Sequence, residues 1–81
     1  MEQVARLVFL GRLEDQAGTA ELAVPIGPLE DILAGLNREL AVILLDERVR
    51  LALNGRLVPQ TGAIVLGAGD ELAFLPPVSG G

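Results

Sequence analysis

The sequence predicts a single α+β domain in which one main helix lies across one face of a mixed β-sheet. One stretch of the chain has apolar residues at helical spacing, and short runs that alternate apolar and polar residues precede and follow it in the sequence. Of the 81 residues, 51% are hydrophobic, and two phenylalanines are the only aromatic residues. A chain of this length has a small core, which must here be packed mainly from Leu, Val, Ile and Ala.

The first part of the chain predicts a β-hairpin. Residues 4–10 form a strand-like run in which Leu7 and Phe9 share the core face, because side chains alternate along a strand. A turn is expected near Gly18, and residues 21–24 then form a short second strand. The two strands are close enough in sequence to pair.

A helix is predicted to begin at Pro28, whose missing N–H is not needed in the first turn. Glu30 and Asp31 suit the positive end of the helix dipole. Residues 41–45 fit either a continued helix or a short buried segment. Apolar residues follow at helical spacing at Leu29, Ile32, Leu33, Leu36 and Leu40.

Three more strands are predicted after the helix. Residues 48–53 alternate with Val49, Leu51 and Leu53 inward, and Asn54-Gly55 is a strong signal for a tight turn into residues 56–58. Residues 71–75 form the last strand. The order β-β-α-β-β-β, with the helix across one face, is the β-grasp arrangement. We expect a domain over residues 1–75 and an extended tail over residues 76–81.

Composition excludes several classes of function. Without His, Cys, Lys or Tyr, the chain lacks most general acids and bases, nucleophiles and soft metal ligands, so it is not expected to be an enzyme by itself or to bind a metal. The net charge of −5 argues against nucleic acid. The longest apolar run, residues 40–45, is too short to span a membrane, and residues 1–3 do not resemble the start of a signal peptide. We therefore expect a cytoplasmic protein.

The C-terminus is the most distinctive feature of the sequence. Glycine has no Cβ, so the pair Gly80-Gly81 can enter a channel that is too narrow for side chains. Pro76-Pro77 stiffens the base of the tail and directs it away from the sheet. A frayed end is the alternative interpretation of such a pair. A stiff base and a slender tip together favour delivery of the terminal carboxylate into another protein.

The ending from Asp70 to Gly81, with Pro76-Pro77-Val78-Ser79-Gly80-Gly81 as its last part, closely resembles that of the small subunit of molybdopterin synthase, the MoaD type of sulfur carrier. Agreement extends to the stretch from Asn54 to Val58, to the first strand and to the Ala17-Gly18 turn. The resemblance therefore covers essentially the whole chain, although only the ending is highly specific. It implies a ubiquitin-like β-grasp fold.

The resemblance also implies a chemistry and a set of partners. An E1-like enzyme would adenylate the Gly81 carboxylate with ATP, and sulfur from a persulfide would replace AMP to give a thiocarboxylate. The tail, Pro76 to Gly80 with Gly81, would then enter the large synthase subunit, where sulfur passes to a pterin precursor. The family implies a heterotetramer of two copies of each subunit. ATP would be consumed by the partner, and no cofactor would be bound by this chain.

The alternation of side chains along the predicted strands suggests where a partner docks. Leu10 and Leu75 lie on the face opposite the core residues of their strands, and Leu57 follows the Asn54-Gly55 turn. Exposed apolar residues grouped near the tail would mark a partner site, and partial burial by loops is the alternative.

Two other functions remain open at this point. One is the same carrier chemistry in thiamine, tRNA or cysteine biosynthesis, or in protein tagging. The other is a β-grasp interaction module whose terminus does not react. Deletion of Gly81 separates them, because carrier function would vanish while simple binding would survive.

Overall fold

The computed structural model describes residues 3–60 and 63–77. It contains seven strands and three short helices within these ranges. In chain order they are β1 (Val4–Phe9), α1 (Arg12–Ala17), β2 (Glu21–Pro25), β3 (Gly27–Pro28), α2 (Leu29–Ala34), α3 (Arg38–Leu44), β4 (Arg50–Leu53), β5 (Arg56–Val58), β6 (Val65–Leu66) and β7 (Glu71–Leu75).

The main sheet has five strands in the order β2-β1-β7-β4-β5. β1 pairs antiparallel with β2 and parallel with β7, so the sheet is mixed, as predicted. β7 also pairs antiparallel with β4, which pairs antiparallel with β5. The last strand therefore lies in the middle of the sheet, between the first strand and β4.

Alternation of side chains along the strands gives the sheet one core face. In β1, Ala5, Leu7 and Phe9 are buried, and in β7 Leu72 and Phe74 are buried, as the alternating pattern predicts. The rings of Phe9 and Phe74 stack at a centroid distance of 5.7 Å. The core is completed by side chains from the helices, the other strands and the bend before β4: Leu13, Val24, Ile32, Leu33, Leu40, Leu44, Val49, Leu51 and Leu66.

The connection between β1 and β2 differs from the simple hairpin predicted from the sequence. The two strands do pair, but α1 is inserted between them and ends at Gly18, which adopts a left-handed conformation and donates its N–H to the Glu14 carbonyl. Leu13 is the one buried side chain of α1. A helix of six residues with a single buried position gives no periodic signal, which explains why the pattern did not reveal it.

Helical structure lies where the sequence predicts the main helix, but it forms two separate helices and not one continuous helix. α2 stops at Gly35, and α3 begins after Asn37, whose side-chain oxygen accepts hydrogen bonds from the N–H groups of Glu39 and Leu40. An Asn cap starts a new helix because it satisfies N–H groups that a continuous helix would have bonded within its own turns. The run that was ambiguous from sequence, residues 41–45, belongs mainly to α3.

The Asn54-Gly55 turn is confirmed, with both residues at positive φ, 51° and 84°. β4, however, begins at Arg50 and not at residue 48. Asp46 holds Arg48 in a turn, since its Oδ1 accepts the Arg48 N–H at 2.9 Å and its Oδ2 accepts the guanidinium at 2.9 Å. These bonds, the side-chain one first, lower the pKa of Asp46 to about 2.

A second, two-stranded ladder joins β3 to β6 and was not predicted, because each strand has only two residues. Its Leu66 is buried in the core. In the described part of the chain, no helix is long and apolar enough to cross a membrane.

Candidate functional site

The face of the sheet that points away from the helices carries the first part of the candidate site. We call it the outer face. Its side chains are half-buried or exposed. By register and alternation, the outer face includes Arg6, Val8, Leu10, Glu21, Ala23, Arg50, Ala52, Leu57, Glu71, Ala73 and Leu75.

One row of small and apolar side chains crosses the outer face. Val8 lies beside Ala73, Ala73 opposite Ala52, and Ala52 opposite Leu57. The two alanines leave the middle of the row low, while Leu57 stands 62% exposed at the β5 edge. The outer face therefore has a shallow apolar depression at the two alanines, bordered by the projecting Leu57 side chain. A side chain of a partner could fit into such a depression.

The two ends of the outer face differ in polarity. At one end, the Arg6 guanidinium pairs with Glu21 Oε1 at 3.0 Å and with Glu71 Oε1 at 3.5 Å. At the other end, Leu10 is 42% exposed and Leu75 is half-buried and opposite Arg50. The end with Leu10, Leu75 and Arg50 is the end at which the chain leaves β7 for Pro76.

The sequence prediction named Leu10, Leu57 and Leu75 as a docking group, and the structure brings all three to the outer face. Leu10 and Leu75 lie on neighbouring strands, since the Leu10 N–H donates to the Phe74 carbonyl at 3.1 Å. Leu57 lies two strands from β7, about 10 Å away at the usual strand spacing. Their role in docking stays a prediction.

An open groove of about 800 Å³ connects Leu57 with the base of the tail. Leu75, Pro76 and Pro77 line its tail end, and Arg50 also lines it. Sequence reasoning did not find this groove, because it is formed by residues from separate strands. The alternation of β4 and β5 could have indicated that Arg50 and Leu57 share a face.

Of the predicted tail, the structure describes only the base, Pro76 and Pro77, and both are half-buried. Pro76 lies against Gly11, and the Arg12 guanidinium lies 3.4 Å from the Pro77 carbonyl oxygen. Val78, Ser79, Gly80 and Gly81 fall outside the described residues. Sequence reasoning missed Gly11 and Arg12, since nothing local marks a contact between positions 65 residues apart.

A polar cluster fixes the sheet at its other end. The Asp70 carboxylate accepts the Gly67 N–H at 2.8 Å and the Asn54 side-chain amide at 3.1 Å. These two hydrogen bonds, the backbone one first, lower the pKa of Asp70. Asn54 in turn accepts the Glu71 N–H at 2.9 Å, so the β4–β5 turn is tied to the start of β7.

Among residues 3–60 and 63–77, no three His, Cys, Asp or Glu side chains are grouped so that they could hold a metal ion. The side chains that face the groove are apolar, amide or guanidinium groups, apart from Glu47. Within the described residues, the groove therefore offers apolar surface and hydrogen-bond donors for contact with another molecule.

The mixed five-stranded sheet, the helices packed on one of its faces and the chain that leaves the central strand at Pro76 define a small ubiquitin-like β-grasp domain. The chain belongs to the ThiS family, whose model matches residues 7–81. This family comprises the ThiS- and MoaD-type ubiquitin-like sulfur carriers, which work with partner enzymes.

Solved structures share the fold over nearly their whole length. The solution structure of small archaeal modifier protein 1 from Methanosarcina acetivorans superposes with a TM-score of 0.74 at 23% identity, covering 100% of this chain and 99% of that one. The crystal structure of small archaeal modifier protein 1 from Haloferax volcanii gives 0.71 at 28% identity, covering 96% and 99%.

A third structure, from Pyrococcus furiosus, bears the name molybdopterin converting factor, subunit 1. It gives a TM-score of 0.66 at 21% identity and covers 95% of this chain and 100% of its own. The likenesses to the Methanosarcina and Pyrococcus proteins are evidence for the fold alone. Together with the family match, they confirm the ubiquitin-like β-grasp fold predicted from the sequence.

Proposed function

We propose that this protein is the sulfur-carrier subunit of a molybdopterin synthase and that it acts through a thiocarboxylate at Gly81. One observation carries the proposal: the family match runs through the Gly80-Gly81 end. The chain leads toward that end from the central strand, beside Leu10 and Leu75 of the outer face. The resemblance of the ending Pro76 to Gly81 to the small synthase subunit supports this branch of the family.

The chemistry requires an activated carboxylate. In the first step a Gly81 carboxylate oxygen attacks the α-phosphate of ATP on an E1-like partner, and pyrophosphate leaves. A persulfide sulfur of a partner then displaces AMP, and a second partner thiol releases the thiocarboxylate by forming a disulfide. Both thiols belong to partners, because this chain has no cysteine. ATP is consumed by the partner and is not a resident cofactor.

The role of this chain in these steps is to present its tail. We propose that residues 1–75 act as the domain that partners recognise and residues 76–81 as the segment that enters their active sites. Leu10, Leu57 and Leu75 would contact the partner, and Pro76 to Gly80 would lie in its channel. The large synthase subunit would pair with this chain as a heterotetramer in the cytoplasm.

Intact-mass measurement of the protein from its own source tests the proposal. We expect a species heavier by one oxygen-to-sulfur replacement at the C-terminal peptide, which a thiol-reactive alkylating agent then modifies. Since the chain has no cysteine, alkylation at this site reports a thiocarboxylate. A plain carboxylate that persists after incubation with ATP, a sulfur donor and the activating extract would refute carrier chemistry and favour a non-reactive interaction module.

Two terminal variants sharpen this test. Deletion of Gly81 shortens the reacting end, and Gly81→Ala keeps the length and the carboxylate but adds a Cβ. We expect both to lose thiocarboxylate formation while the protein still binds its partner. Recovery of a large pterin-synthase subunit with the native protein would support the molybdopterin branch, and its consistent absence would favour the thiamine, tRNA or cysteine pathways.

Protein tagging is the second candidate, because the Haloferax structure at 28% identity is named a small archaeal modifier protein. A tag would form an isopeptide bond between Gly81 and a lysine of another protein. The chain has no lysine, so no such bond can form to a second copy of itself through a lysine side chain. Conjugates of higher mass that carry the Gly81 end after incubation with ATP and extract would favour tagging. Thiocarboxylate without conjugates would favour the carrier.

A further inference from the structure

The corner between β1 and α1 contacts the base of the tail in a way that the carrier chemistry alone does not require. Gly11 has φ 55° and ψ −136°, and a Cβ placed on it would lie 3.0 Å from Pro76 Cγ. That distance is tighter than nine in ten real Cβ contacts, so the Pro76 ring lies close against the Gly11 backbone. A residue with a Cβ at position 11 would require the ring to shift by a few tenths of an ångström.

The conformation of Gly11 points in the same direction. This combination of φ and ψ lies outside the regions that L side chains adopt readily. Gly11 is exposed, so core packing does not demand a small residue there. The backbone thus has a conformation that favours glycine at the place where it meets the tail, so a side chain at position 11 would be strained whatever the space around it.

Arg12 adds a second contact to the same segment. Its Nη2 lies 3.4 Å from the Pro77 carbonyl oxygen. Within residues 3–60 and 63–77, the ion pairs of the protein involve Arg6 and Arg48 but not Arg12. The guanidinium therefore has the tail carbonyl as its described partner, although carboxylates are the usual partners of arginine.

The corner itself is fixed to the body of the domain. The Leu10 N–H donates to the Phe74 carbonyl, and the Leu13 N–H donates to the Leu10 carbonyl at 3.1 Å. Leu13 is 2% exposed and anchors α1 in the core. A segment that rests on this corner therefore has a defined direction relative to the outer face.

We propose that Gly11 and Arg12 are positioning residues that set the direction in which the chain leaves the domain after Pro77. We call the four residues Gly11, Arg12, Pro76 and Pro77 the tail seat. The contact itself is independent of the proposed function, and its consequence for sulfur transfer rests on that function. A partner that binds the outer face then meets Pro76 and Pro77 already held in place, which lowers the ordering cost of inserting the residues that follow.

Nuclear Overhauser effects in the free protein test the tail seat without any partner. We expect cross-peaks between the Gly11 Hα protons and the Pro76 ring protons in the unmodified protein. Arg12→Met, which keeps the length of the side chain but removes its donors, should weaken them, and Arg12→Lys should restore part of their intensity. Arg38→Met is the matched control, since it removes the same charge from α3 and should leave the cross-peaks unchanged.

Kinetics with the activating enzyme test the consequence. The contact between Arg12 and the Pro77 carbonyl is long, at 3.4 Å, and exposed, so its loss corresponds to the low end of the range for one hydrogen bond, about twofold. We expect Arg12→Met to lower kcat for Gly81 adenylation by this factor relative to Arg38→Met, with KM nearly unchanged because the outer face still docks. Arg12→Lys should recover part of the loss.

A pair of glycine variants provides a second comparison. Gly11→Ala and Gly18→Ala both place a side chain at positive φ at the two ends of α1, but a Cβ on Gly18 meets nothing within 4 Å. Both should lower the melting temperature, and only Gly11→Ala should lower kcat and leave no cross-peaks between residue 11, its new methyl group included, and the Pro76 ring. If Gly11→Ala does not fold, the arginine variants decide the question alone.

Two outcomes would overturn the proposal. In the first, Arg12→Met and Arg38→Met show the same cross-peaks and the same kcat. In the second, Arg12→Met lowers kcat while the cross-peaks stay intact, which would mean that Arg12 contacts the partner directly. If the unmodified protein forms no adenylate or thiocarboxylate, the proposed function fails, whereas the cross-peaks still show whether the tail seat exists.

Discussion

Truncation of Leu57 to alanine tests whether the outer face is the docking surface. Leu57 is 62% exposed at the β5 edge of the groove. Leu→Ala removes three carbons, each worth about 0.8 kcal/mol when it is fully buried. If a partner covers the exposed part, which is a little under two thirds, the variant loses about 1.5 kcal/mol of binding free energy. This corresponds to roughly a tenfold weaker Kd.

Leu45→Ala is a matched control for this truncation. Leu45 is also 62% exposed, but it follows α3 and is absent from the outer face and its groove. The same three carbons are removed from a side chain with the same exposure. The two variants should therefore differ little in free energy of unfolding, because the buried fraction that each gives up is equal.

Calorimetric titration with the large synthase subunit from the same source measures the effect. We expect Leu57→Ala to weaken the Kd about tenfold and Leu45→Ala to leave it within about twofold of the unmodified protein. Urea unfolding, followed by circular dichroism since the chain has no Trp or Tyr, checks that both variants fold. Equal Kd values for the two variants, or a larger loss with Leu45→Ala, would refute the assignment of the docking surface to the outer face.

Three further predictions concern stability. Asp70→Asn should destabilise the protein at pH 7 and much less at about pH 2. Hydrogen bonds lower the pKa of Asp70 in the folded protein, so its ionised carboxylate stabilises the fold at pH values above the ordinary carboxyl pKa, and this stabilisation is lost as the pH falls through the lowered pKa. Urea unfolding at the two pH values measures the difference. Asn37→Ala should cost about 1 kcal/mol of unfolding free energy through loss of the α3 cap, and an unchanged urea midpoint would contradict this. Phe74→Ala should cost about 3–5 kcal/mol, because its ring is buried against Phe9, and a thermal transition near that of the unmodified protein would count against the stacked core.

The parts of the fold that could be predicted from the sequence are those in which local pattern and burial agree. Leu7 and Phe9 alternate with less buried neighbours along β1, and Leu72 and Phe74 do the same along β7, so strand type and core face followed from spacing alone. The Asn54-Gly55 turn could also be predicted from the sequence, since this dipeptide tolerates the positive φ values observed.

The parts that could not be predicted depend on competing local signals or on distant contacts. Leu36 continues the helical spacing across the break between α2 and α3, so the apolar pattern hides the interruption that the Asn37 side chain causes. The residues of β1 and β7 do not by themselves indicate that these two strands pair in parallel. The tail seat depends on that pairing, because it brings the residues after Phe9 beside those after Phe74.

The pairing of β1 with β7 also affects how the protein is made. During synthesis β1 can pair with β2 early. The pairing of β1 with β7, and of β4 with β7, can form only after β7 has emerged. Contacts between such distant segments form late and slowly. Ala73 and Leu75, which belong to the outer face, also come from β7. An unfinished chain that stops before residue 71 therefore lacks the assembled surface, so an activating enzyme that reads this surface would distinguish complete carriers from truncated ones.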